Sequence, residues 1–154
     1  MNTKTILLID DEQALLEPLA EALEFEGYRV LKARTADEAF VFLNTEPIDL
    51  VTIDIMLDPG VECGDDVDSH KTGLYLCGEV KKYWPEIDAF CISVVSDMRV
   101  IKQVESLGIR FLRKGETPLR TVLNMFRSRL TGVAYSTERD RQDPRRGTGK
   151  NSEY

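Results

Sequence analysis

From Thr5 onward the chain alternates short unbroken apolar runs with longer stretches whose apolar residues recur every three or four positions. An unbroken run predicts a strand buried on both faces, and a period near 3.6 predicts a helix with one apolar side. Thr5 to Ile9 is the first run, and Asp10-Asp11-Glu12 ends it. Residues 12–26 follow at helical spacing and stop at Gly27; Pro18 lies inside them, which predicts a kink. Tyr28 to Ala33 reads as the second strand. Thr35, with Glu38 three residues on, caps a helix to about Asn44. Asp49 to Ile53 is the third strand, Ala89 to Ser93 the fourth and Arg110 to Arg113 the fifth. Helices are predicted over 72–83, closed by Trp84-Pro85, over 97–106, closed by Gly108, and from Pro118 to Leu130.

Strands that each lead into a helix imply an α/β fold: a doubly wound, five-stranded parallel sheet with helices on both faces. Residues 1–130 form this domain. Two segments break the alternation. Residues 58–71, DPGVECGDDVDSHK, read as an acidic loop insertion, and residues 131–154 as a polar, disordered tail without a periodic apolar face.

Open parallel sheets bind ligands at the carboxyl ends of their strands. Here those ends carry Asp10 and Asp11, then Asp54, then Ser93, then Lys114. Crowded carboxylates resist full ionisation unless a cation sits among them. A hard divalent ion, Mg²⁺, suits such oxygen ligands. One carboxylate could then act as a nucleophile toward a phosphoryl group, with Lys114 offsetting the new charge and Ser93 donating a hydrogen bond.

Composition narrows the setting. The 154 residues carry a formal charge of −7, which disfavours nucleic acid as a direct partner. Cys63, Cys77 and Cys91 are odd in number and form no CxxC, as expected of free thiols in a reducing compartment. The chain shows neither a membrane-length apolar run nor a signal-peptide pattern, so a cytoplasmic location is expected.

The ordered set LLIDDE, DLVTID ending at Asp54, ISVVSD containing Ser93 and FLRK ending at Lys114 resembles the receiver domain of bacterial two-component response regulators. The likeness covers about residues 4–130. It implies a flavodoxin-like fold with strand order 2-1-3-4-5. It also implies that Asp54 is the phosphoacceptor, and that Asp10, Asp11, Asp54 and the backbone carbonyl of Met56 hold Mg²⁺, with Asp10 acting through water. By the same likeness Ser93 and Lys114 hold the phosphoryl group, and Phe111 takes the aromatic switch position. A sensor histidine kinase or phosphotransfer protein would supply the phosphoryl group. The protein would be a stand-alone regulator signalling to a downstream protein by contact, an enzyme only in its own phosphorylation and dephosphorylation. Pairing of two copies stays open.

Three departures from the family pattern carry expectations of their own. The 58–71 insertion lies beside the phosphorylation site; Val94 stands where Ala or Gly is usual and should narrow the approach to Asp54; Gly115 replaces the usual Pro, so no cis peptide is expected after Lys114. They motivate a rival reading, an interaction module independent of phosphorylation. Other matches fail on detail. Asp68 to Gly73 fits the DxHxxG of cobalamin-binding domains, but after the wrong strand and without a later GG pair. A phosphate loop at Gly149-Lys150 would need Gly at Pro144 and Ser or Thr at Asn151. A dehalogenase-type phosphatase would need Asp where Met56 stands.

Overall fold

The computed structural model describes residues 3–57 and 69–132. Five strands, β1 Thr5–Ile9, β2 Arg29–Ala33, β3 Leu50–Ile53, β4 Asp88–Ser93 and β5 Arg110–Arg113, pair in parallel in the order β2-β1-β3-β4-β5. The helices are α1 Gln13–Phe25, α2 Ala36–Thr45, α3 Ser69–Tyr83, α4 Met98–Ser106 and α5 Leu119–Thr131. This is the expected architecture and strand order.

The sequence pattern explains the layering. β1 and β3, and β4 apart from Asp88, are buried on both faces, which is why they read as unbroken apolar runs. Leu7, Ile9, Val51, Ile53 and Cys91 point to one side, where Ala36, Leu43, Leu76, Val80 and Val104 cover them. Ile6, Leu8, Leu50, Phe90 and Ile92 point to the other, against Leu16, Leu19, Leu23, Val122 and Phe126. The strand period of two thus assigns each residue to α2–α3–α4 or to α1–α5. The edge strands β2 and β5 are only partly buried.

Helix α1 runs unbroken through Pro18. Proline there forfeits one backbone bond, but Leu16, Leu19 and Leu23 are at most 1% exposed, and their packing holds the helix. Helix α3 begins at Ser69 rather than at residue 72, so the loop ends earlier than expected. Its first residues carry no apolar period to mark them as helical. Of the remaining expectations, residues 58–68 of the acidic loop, Cys63 among them, and residues 133–154 of the tail lie outside the described residues.

Helix α3 meets the chain just beyond β3 at a glycine. A Cβ on Gly73 would lie closer than 3.0 Å to the backbone of Ile55, the residue after Asp54. Gly78, also in α3, has nothing within 4 Å of such an atom. In urea titrations Gly73→Ala should cost about 1–3 kcal/mol from overpacking. Gly78→Ala should instead stabilise by about 0.5–1 kcal/mol through helix propensity.

Candidate metal centre

In the order β2-β1-β3, connections leave β1 toward one edge and β3 toward the other, opening a crevice at the carboxyl ends of these strands. Asp10 and Asp54 follow the paired residues Ile9 and Ile53. Their backbones extend the ladder: Asp10 N–H donates to the Ala33 carbonyl at 3.0 Å and Asp54 N–H to the Ile9 carbonyl at 3.0 Å. Both residues are buried, at 2% and 4% exposure, while Asp11 is exposed. One carboxylate oxygen from each of the three lies within 4.8 Å of the others.

Every oxygen of the two buried carboxylates has a donor. Asp10 Oδ1 accepts from Glu12 N–H at 2.9 Å, and Asp54 Oδ1 from Met56 N–H at 3.0 Å. Lys114 Nζ donates to Asp10 Oδ2 and, at 2.8 Å, to Asp54 Oδ2. Lys114 follows β5, and its own N–H donates to the Ser93 carbonyl at 3.0 Å, tying the ends of β4 and β5. Ser93 is fully buried, and its Oγ accepts from Val95 N–H at 3.3 Å.

Among the described residues the charges do not balance, since three carboxylates face one ammonium. Burial, reinforced by the neighbouring charge of Asp54, pushes the Asp10 carboxyl up to about 6, against the pull of Lys114 and the Glu12 N–H. Asp11 is raised as well, by partial desolvation and then by Asp54. Burial would lower the Lys114 ammonium, but hydrogen bonds and charge from Asp10 and Asp54 outweigh it and raise the group. An all-oxygen, excess-negative cluster of this size fits a hard divalent cation such as Mg²⁺. Such an ion would replace the missing positive charge.

The other expected residues lie nearby in the fold. Met56 is half-buried and reaches Asp54 through its N–H. Phe111 is half-buried on β5, pairs with Cys91 and packs on the α2–α3–α4 side. Val94 is 63% exposed. Among the described residues there is no cis peptide, and Gly115 adopts φ +78° in the turn after Lys114. Cys77 and Cys91 are buried, and the Cys91 thiol is pushed up by its hydrogen bond with Cys77 and by burial. Sequence reasoning passed over Gln13, whose Nε2 donates to the carbonyls of Asp10 and Ala33. The only signal was an amide at the first helical position after an acidic run.

A family model described as the response regulator receiver domain matches residues 6–122. The chain belongs to this family. Its receiver domain is similar to the response regulator GtcR of Aneurinibacillus migulanus, 42% identical over 55 residues, 36% of this chain and 23% of that protein. It is also similar to the hydrogenase transcriptional regulatory protein HoxA of Cupriavidus necator, 33% identical over 106 residues, 68% of this chain and 20% of that protein. The chain therefore spans about a fifth to a quarter of the length of such curated relatives. Among solved structures, a CheY-like receiver domain protein from Methanospirillum hungatei superimposes with a TM-score of 0.72 at 25% identity, covering 85% of this chain and 96% of that one. Receiver domains are signalling modules, and they typically bind Mg²⁺ at an aspartate cluster such as this one.

The raised Asp10 sets a pH dependence. Between pH 7.5 and 5.5 protons should compete for the cluster, so Mg²⁺ affinity measured by calorimetry should fall as pH drops through about 6. In metal-free protein the sign reverses. A carboxyl that holds its proton more tightly when folded adds stability as pH falls toward its unfolded value of 3.8, and loses that contribution as pH rises through about 6. Asp10→Asn cannot titrate and should remove this component from the pH dependence of urea unfolding.

Proposed function

We propose that this receiver accepts a phosphoryl group on Asp54 from a sensor histidine kinase or a phosphotransfer protein and relays the event to a downstream protein by contact. The observation that carries the reading is Lys114 spanning Asp10 and Asp54, with Asp11 completing a three-carboxylate cluster at the sheet's ligand edge.

An Asp54 carboxylate oxygen attacks phosphorus, the phosphorus bond to the donor breaks, and an acyl phosphate forms. Asp10, Asp11, Asp54 and the Met56 carbonyl are the proposed holders of Mg²⁺, with Asp10 acting through water. When bound, this ion supplies charge neutralisation for the incoming phosphoryl oxygens. Lys114 already touches Asp54 and provides a second positive charge at the same oxygens, while the buried Ser93 hydroxyl provides a donor. Attack of water on the phosphorus returns the carboxylate and releases inorganic phosphate, which resets the site. Phe111, three residues before Lys114 on the strand tied to Ser93, is the proposed aromatic reporter of the change. Output by protein contact accords with the net charge of −7, which opposes direct binding to nucleic acid. The reading places the protein in the cytoplasm with its kinase.

The test is the intact mass after incubation with Mg²⁺ and acetyl phosphate. Wild type should gain one phosphoryl group, and Asp54→Asn none. Ser93→Ala, lacking one donor, should react about 100-fold more slowly. An unmodified wild type, together with partner binding that persists in Asp54→Ala, would instead support the phosphorylation-independent module.

A further inference from the structure

We propose that Gln13 is a positioning residue of the metal corner: its side-chain amide closes the turn that presents Asp11. The inference rests on the metal reading above, and concerns a residue that reading does not use. Asp10 is fixed by strand pairing, because its N–H donates to the Ala33 carbonyl at 3.0 Å and its carboxylate is held by Glu12 N–H and Lys114. Asp11 has no such anchor in the sheet; it is exposed, and the turn from Asp10 to Gln13 sets its direction. That turn is closed from two sides. On one side Glu12 N–H reaches back to Asp10 Oδ1 at 2.9 Å. On the other, Gln13 Nε2 donates to the Asp10 carbonyl and, at 3.3 Å, to the Ala33 carbonyl.

One amide therefore clamps the exits of β1 and β2 together at the residue that precedes Asp11. Helix α1 gets no side-chain cap from its preceding residue Glu12, so Gln13 is the first side chain of the helix to tie it to the sheet. The clamp leaves Gln13 Oε1 buried and without a partner among the described residues. An orphaned acceptor is an unfavourable arrangement for stability alone. Here it lies beside the carboxylate cluster, where on the proposed reading the placement of Asp11 matters.

Groups that orient a ligand change metal affinity by about 10-fold or more when removed. Mg²⁺ alone is titrated calorimetrically into the full chain as wild type, Gln13→Met, Gln13→Ala and Asp11→Asn. Met keeps the bulk and helix propensity of Gln but cannot donate. The expected result is a Kd about 10-fold weaker in both Gln13 variants, with urea midpoints measured without metal close to wild type. Unchanged affinity in Gln13→Met overturns the proposal. So does a loss confined to Gln13→Ala, which would assign the effect to packing, or a loss matched by an equal drop in metal-free stability. A wild type that binds no Mg²⁺, or an Asp11→Asn variant that binds as wild type does, overturns the metal reading itself and is thereby told apart from failure of the Gln13 inference.

Discussion

A single buried ammonium reconciles two buried carboxylates with a hydrophobic fold. Lys114 Nζ lies between Asp10 and Asp54, and all three side chains are at most 8% exposed. Removing an isolated charge from water to this depth is strongly unfavourable, and two anionic partners make it tolerable. The geometry follows from the strand order. Asp10 and Asp54 leave adjacent strands, whereas Lys114 leaves β5, separated from β3 by β4. Only a long, flexible side chain spans that distance, and its backbone is fixed at the start of the span by the bond from Lys114 N–H to Ser93. The ion pair is thus also a strut across the ligand edge of the sheet.

The surrounding packing keeps that edge in place. Polar residues at the ligand ends of the strands, Asp10, Asp54 and Ser93, lie directly above apolar layers contributed by both helical faces. Glycine at position 73 lets α3 settle on the backbone of Ile55, immediately beyond Asp54. Asp54 is therefore held from below by β-pairing with the Ile9 carbonyl, from one side by Met56 N–H and from the other by Lys114. What remains unbalanced among the described residues is electrostatic: fixed dipoles and one cation do not cancel three negative charges. Crowding of this kind lowers stability and is retained where a site needs it.

The fold was legible because burial on two faces leaves an unbroken apolar signature, and because the helices with clear periods have one apolar side. The chemistry of the site was legible for a related reason: parallel strands bring their carboxyl ends to one edge, so residues at those ends become neighbours whatever their separation in sequence. Other features depend on contacts that no local pattern records. Pro18 weakens the local helical signal, and Leu16, Leu19 and Leu23 hold the helix through it. The first turn of α3 has no apolar period to reveal it. Gln13 drew no reading from the sequence, because one of its acceptors, Ala33, is twenty residues away and is brought close only by the pairing of β1 with β2.

The same strut gives a physical reason why chemistry at Asp54 would be felt on the far edge of the sheet. A phosphoryl group there adds negative oxygens within reach of the ammonium that now holds Asp10 and Asp54 together. Any new partner for Lys114 Nζ draws on a backbone already bonded to Ser93, and Ser93 in turn holds Val95 N–H through its hydroxyl. If the Ser93 hydroxyl turns toward the phosphoryl group, its bond to Val95 is given up at the same moment. The Ser93 contact at the end of β4 would then change beside β5, which carries the half-buried Phe111. On the proposed reading, a new charge at Asp54, a lysine that can exchange partners and a half-buried aromatic on the strand before it are the parts from which a two-state response would be built.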